Sequence, residues 1–187
     1  MSAAPLILAS TSPQRRAILE QLRVPFRVVA PDYEERPGTS PLERAAGKAR
    51  SVDGGSESPV LGVDTEVVFR GELLGKPLDE THAEQMLEAL AGETHEVVSG
   101  LCLRTPGWEE LHTETTRVTF RPLVPRELAH YVGSGEWQGR AGAYAIQGLG
   151  VSLVERLEGD FLNVVGLPGT LLVRLLATRF AGAYGFG

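Results

Sequence analysis

Leu6-Ile7-Leu8-Ala9-Ser10-Thr11-Ser12-Pro13-Gln14-Arg15-Arg16 sets four apolar residues directly before a polar turn and a proline. Leu6–Ala9 reads as a short buried strand and Pro13–Leu22 as a helix, because Ser12 suits a cap and Pro13 the first helical position. Phe26–Ala30 reads as the next strand. The same alternation continues outward: Leu42–Val52 is helical, Asp53-Gly54-Gly55-Ser56 is turn-like, and Val60–Phe69 is a strand. Thr81 and Glu84 have the spacing of a capping box, opening a helix with an apolar stripe at Ala83, Met86, Leu87 and Leu90 that Gly92 ends. His95–Leu103 and Glu114–Arg121 read as paired strands, Pro125–Val132 as a helix and Val151–Arg156 as a strand. Leu167–Phe180 closes the chain as a helix with Leu171, Leu172, Leu175 and Leu176 inward. The class is α/β, with too much hairpin character for a purely parallel sheet.

At 187 residues the chain is expected to form one domain, residues 1–187, large enough for a core without staples. No apolar run approaches a membrane span, and the start, Met1 to Leu8, lacks the charged flank of a signal peptide, which points to the cytoplasm. Cys102, between Leu101 and Leu103, is the only cysteine; this excludes an intramolecular disulfide and a cysteine-based zinc cluster, and makes an inert strand residue the expected reading. The net charge is −6. Its distribution is uneven: Arg15, Arg16, Arg23 and Arg27 stand against Glu20 alone in the first 30 residues, so a small anion is compatible and a long nucleic acid is not expected. The four histidines show no metal-binding pair, so any metal must be a hard cation on carboxylates.

Four features carry chemistry. Of 18 basic residues only Lys48 and Lys76 are lysines. A compact ammonium kept against such an arginine bias suits a single phosphate oxygen. Second, two arginines in the first turn after Ser12 oppose the helix macrodipole unless an anion sits there to receive backbone N–H groups, serine hydroxyls and a guanidinium fork. Third, strand alternation over Val60–Phe69 puts Gly62, Asp64 and Glu66 on one face, the carboxylates about 6.6 Å apart along the backbone, a ledge for Mg²⁺ or an activated water. The following Gly71-Glu-Leu-Leu-Gly-Lys76-Pro77 is a hairpin return that carries Lys76. Fourth, Gly133–Gly150 holds six glycines in 18 residues, without Rossmann or P-loop spacing. There Gln147 offers both an amide donor and an acceptor to a base edge, and Tyr144 is read as closing the pocket.

Together these residues resemble the Maf family of nucleoside triphosphate pyrophosphatases, also described as septum-formation inhibitors, almost from end to end. Leu8-Ala-Ser-Thr-Ser-Pro-Gln-Arg15 is similar to the family's opening segment, which makes Ser10, Ser12 and Arg15 phosphate contacts. Pro31-Asp-Tyr-Glu-Glu35 resembles its acidic turn, placing Glu35 near the metal. Gly47-Lys48-Ala49 and Leu74-Gly-Lys76-Pro77 supply both lysines, and Gly62-Val-Asp64-Thr65 resembles the segment with the catalytic aspartate. Gly92–Gly100, Gly142–Gly150 and Asn163–Pro168 extend the likeness. It implies an elongated mixed sheet with helical lobes flanking a central cleft, similar to the inosine triphosphatase group, and a homodimer.

The implied reaction is hydrolysis of the α–β phosphoanhydride of a nucleoside triphosphate, with Mg²⁺ or Mn²⁺ held by Asp64 and Glu35. Asp64 is then the general base, while Arg15, Lys48 and Lys76 neutralise phosphate charge. Thr65 and Gln147 agree with the subgroup acting on dTTP and UTP, whose residue after the motif proline is commonly arginine; Gln14 departs from it, leaving a shifted specificity open. A subgroup acting on 7-methyl-GTP fits less well. The competing class is a nucleotide-sensing regulator of cell division that acts by binding.

Overall fold

The computed structural model describes residues 4–54 and 58–187. The last two residues of the turn expected at Asp53–Ser56 and the first three of the chain lie outside them. The elements are β1 Leu6–Ala9, α1 Pro13–Gln21, β2 Phe26–Val29, α2 Pro41–Arg50, β3 Val60–Phe69, β4 Glu72–Leu74, α3 Glu80–Leu90, β5 Thr94–Thr105, β6 Trp108–Phe120, α4 Pro125–Gly133, β7 Val154–Glu158, α5 Phe161–Val165 and α6 Gly169–Phe180. Among the described residues these strands form a seven-stranded mixed sheet in the order β2-β1-β3-β5-β6-β7, with β4 paired to β3. β1 runs parallel to β2 and to β3, whereas β3/β4 and β6/β7 are antiparallel. The α/β reading and its hairpin content are therefore present.

The chain divides into two compact units, one made of residues up to Thr65, Ser99–Glu114 and Gly166–Gly187, the other of Glu66–Val98 and Thr115–Val165. In the first, α2 lies on the sheet through side-chain-free contacts. A Cβ at Gly62 would collide with the Ala45 carbonyl oxygen, and one at Gly100 with the backbone of Pro41 and Leu42. Ala45, Ala46, Ala49 and Val52 pack there with Ile7, Ala9, Val60 and Cys102. Small residues let helix and sheet approach closely, which fixes the height of α2 over β3. Cys102 is buried and burial pushes its thiol up to about 12, the inert strand residue expected. At the C-terminus, Phe180 packs on Trp108 and Tyr184, and the Tyr184 hydroxyl donates to the Ala4 carbonyl (2.7 Å).

The second unit has its own core, built on Phe69, Leu87, Leu90, Val118, Phe120, Leu128, Tyr131 and Tyr144. The stripe of α3 is inward as read, with Ala83, Leu87 and Leu90 buried. Its cap is different. Asp79, not Thr81, accepts the His82 amide (2.8 Å), because aspartate at that position completes the N-terminus one residue before the first helical turn. Residues 149–153 form a 3₁₀ turn rather than the start of a strand, so β7 begins only at Val154. A short α5 precedes the last helix, which Pro168 delays to Gly169. The β5–β6 hairpin is longer than expected, turning only at Pro106-Gly107.

Candidate active site

In the first unit β3 alternation sends Gly62 and Asp64 to the α2 side of the strand. Asp64 is only 8% exposed, so its charge needs partners. Two arrive from one face of α2, four residues apart: Lys48 Nζ stands 2.5 Å from Asp64 Oδ1, and Arg44 Nε 2.6 Å from Oδ2. Lys48 Nζ is also 2.7 Å from Glu35 Oε1. One ammonium thus bridges the two carboxylates named from the sequence as metal ligands. Arg44 was not anticipated, although its i, i+4 spacing from Lys48 signals a shared helix face. Helix α2 is started firmly by a reciprocal cap, with Ser40 Oγ accepting the Glu43 amide and Glu43 Oε2 the Ser40 amide, behind Pro41.

The turn after β1 lies in the same unit. Ser12 caps α1, and its hydroxyl donates to Gln14 Oε1 (3.1 Å), so the Gln14 amide is folded back onto the turn. Ser10, 5% exposed, accepts from the Ser12 amide (3.2 Å) and from Arg15 Nη1 (3.1 Å). Arg15 Nε donates to the Gly166 carbonyl (2.9 Å), which also accepts from Thr65 Oγ1 (3.3 Å). Thr65 Oγ1 is 2.7 Å from Ser99 Oγ, a buried partner the sequence reading missed. Burial pushes the Arg15 guanidinium down from its ordinary value, with Asp64 and Glu35 pulling it back up. Arg16 instead faces solvent and pairs with Glu20 (3.0 Å), so only one of the two arginines of the first turn is directed inward.

Lys76 and Gln147 belong to the second unit. Lys76 follows β4, which returns along β3 with Val67 opposite Leu74, and its side chain is exposed. Gln147 is exposed on a loop whose flanks are fastened. The Ala145 amide donates to the Tyr131 hydroxyl (3.0 Å), and the Leu149 and Gly150 amides to Glu136 (2.9 and 3.3 Å). Tyr144 does not close a pocket. It is 6% exposed, its ring packs edge-on against Phe120 (centroids 4.9 Å), and its hydroxyl meets His95 Nε2 at 2.8 Å. A phenol that finds a buried partner becomes a core residue. Glu136 and His95 are therefore the loop's unforeseen supports.

Chemically, the first unit gathers a buried carboxylate, two cations on it, a second carboxylate, a further guanidinium and two serine hydroxyls. This set matches a polyanionic ligand and a hard cation better than a neutral one. Residues 5–179 match the family described as Maf-like protein. The chain belongs to the Maf family. Among curated members it is similar to the dTTP/UTP pyrophosphatase of Halalkalibacterium halodurans, 45% identical over 94% of this chain and 99% of the relative. It is also similar to those of Deinococcus radiodurans (44%; 97% and 95%) and Thermus thermophilus (46%; 94% and 95%). A solved HAM1 protein of Coxiella burnetii aligns with TM-score 0.45 and 17% identity over 64% of this chain and 73% of that one. Within this Maf chain no group of three or more His, Cys, Asp or Glu side chains converges among the described residues. No helix among them is long and apolar enough to cross a membrane.

Proposed function

We propose that this protein is a nucleoside triphosphate pyrophosphatase that acts on dTTP and UTP, releasing the monophosphate and pyrophosphate. The observation that supports it best is the Asp64 cluster, in which a buried carboxylate, Glu35 and the cations of Arg44 and Lys48 meet within hydrogen-bond distance in a chain of this family. The curated relatives that share over 40% of its residues carry that activity in their names.

Asp64 and Glu35 fit Mg²⁺ or Mn²⁺, because their oxygens already converge on one cationic point and such ions are commonly held by one or two carboxylates plus substrate phosphates. A bound divalent cation would supply charge neutralisation and acidify an attacking water. Arg15 and the Ser10 and Ser12 hydroxyls bind phosphate oxygens at the start of α1. Lys48 leaves Asp64 for the phosphates, and the Asp64 carboxylate orients the water that attacks the α-phosphorus and takes up its proton. The bond from that phosphorus to the α–β bridging oxygen breaks, and Lys48 and Lys76 neutralise the charge gained by the pyrophosphate. Thr65 and Gln147 select the base, and Gln14 lies at the position that adjusts the selection. A homodimer forms part of this reading, and light scattering of the purified chain checks it.

The experiment is kcat/KM for dTTP, UTP, CTP, ATP, GTP and 7-methyl-GTP at one pH, with Mg²⁺ and then Mn²⁺, reading pyrophosphate. The two pyrimidine substrates are expected to lead. If 7-methyl-GTP leads, the base assignment to Thr65 and Gln147 is wrong; if none releases pyrophosphate, the activity is wrong.

A further inference from the structure

We propose that Arg44 is a positioning residue for the Asp64 carboxylate, a role that rests on the pyrophosphatase reading of this site. Its guanidinium spans two acceptors: Nε donates to Asp64 Oδ2 at 2.6 Å and Nη1 to the Thr39 carbonyl. Thr39 ends the segment that carries Glu35 and precedes the Ser40 cap of α2. One planar fork therefore ties the helix, the Glu35 segment and the buried strand carboxylate to one another. With its side chain 13% exposed, Arg44 works largely shielded from solvent, where a charge-assisted hydrogen bond is well above surface strength.

The two cations on Asp64 differ in what they can do. Lys48 is a rotatable ammonium shared between Asp64 Oδ1 and Glu35, so it can move to a phosphate without dismantling anything else. Arg44 is locked at both ends of its fork, and it grips the oxygen that Lys48 does not. When Lys48 turns to substrate, Arg44 keeps Oδ2 occupied and Oδ1 aimed. The aim is backed by the packing, since α2 lies so close over Gly62, two residues before Asp64, that a Cβ there would collide with the Ala45 carbonyl oxygen. This role needs a guanidinium: an ammonium at position 44 reaches one of the two acceptors.

The test compares Arg44→Met and Arg44→Lys with the wild type, measuring kcat and KM for dTTP, Kd for a non-hydrolysable α,β-methylene dTTP, melting temperature and a crystal structure of Arg44→Met. In Arg44→Met, kcat is expected to fall at least about tenfold, the scale of a misaimed reacting group, while KM and the analogue Kd stay within about threefold. Arg44→Lys should recover part of the loss. A kcat within about twofold of wild type overturns the proposal, as does a loss appearing equally in the analogue Kd, which would make Arg44 a substrate contact. If the wild type itself releases no pyrophosphate, the activity reading fails, and the crystal structure then decides: Asp64 in its wild-type orientation without Arg44 overturns the clamp, and Asp64 turned away supports it.

Discussion

Around Asp64 the first unit holds its chemistry with formal charge: two cations on one carboxylate and an ammonium shared with a second. Around Gln147 the second unit instead ties backbone amides to a phenol group and to one carboxylate that pairs with no cation among the contacts described. The Ala145, Leu149 and Gly150 amides are fastened to Tyr131 and Glu136, and Tyr144 to His95. The difference is functional. The groups that hold Asp64 are themselves suited to phosphate, so on the proposed function the substrate rearranges part of the cluster when it binds. The fastenings of the loop use none of the Gln147 amide atoms, so if Gln147 reads the base as proposed, it does so without loosening its frame.

Asp64→Asn breaks the charged side of the comparison most sharply. It keeps one acceptor oxygen, enough for Arg44 or Lys48 but not both, and removes the base, so kcat should fall by at least about 10²-fold while binding of the non-hydrolysable analogue persists. Turnover above a third of wild type would take Asp64 out of the mechanism. Gly62→Ala attacks the same cluster through packing. Its new methyl group meets the Ala45 carbonyl oxygen, and α2 must lift with Arg44 and Lys48 on it. A stability loss of about 1–3 kcal/mol is expected, together with a loss of turnover; an unchanged urea midpoint would show that α2 is not seated as described.

The loop side is broken at Glu136. Its replacement by alanine leaves the Leu149 and Gly150 amides without their acceptor, costing about 1–3 kcal/mol to the extent that water does not replace it. The preference for dTTP and UTP over ATP and GTP should narrow, with kcat for dTTP less affected than in Asp64→Asn. Unchanged ratios across the panel would remove the loop from base selection.

The effect that vanishes at neutral pH is a pH dependence. Burial lowers His95 to about 4, and its Nδ1 has no hydrogen-bond partner among the described residues. The folded value lies below the unfolded one near 6.5. The native state therefore binds fewer protons between the two, and the His95 contribution is present above about 6.5 and lost as pH falls towards 4, at up to about 1.4 kcal/mol per pH unit. His95→Gln, which retains a partner for Tyr144, should flatten that part of the stability profile measured by urea unfolding at pH 7, 6 and 5. Parallel profiles for the two proteins would contradict a neutral buried His95.

What could be read in advance follows from range. Ser12 and Pro13 act within one turn, and the stripe of α3 is periodic, so both were legible. Lys48 stood out because the chain otherwise uses arginine, and that same bias hid Arg44 among 16 arginines whose partners are set only by the fold. Tyr144 was misread because a phenol beside glycines suits a pocket wall as well as a core. Only the Phe120 and His95 contacts, 24 and 49 residues away, decide. The 3₁₀ turn at 149–153 carries the apolar residues of a strand; its hydrogen bonds to Glu136 come from outside the segment and leave no local trace.

The most direct measurement is ³¹P NMR of dTTP consumed by the wild type with Mg²⁺ present, and by Asp64→Asn alongside it. The account predicts dTMP and pyrophosphate appearing in equal amounts, no early inorganic phosphate, and no comparable conversion by the variant. Accumulation of dTDP with inorganic phosphate would place the attack on the γ-phosphorus and contradict the assigned reaction.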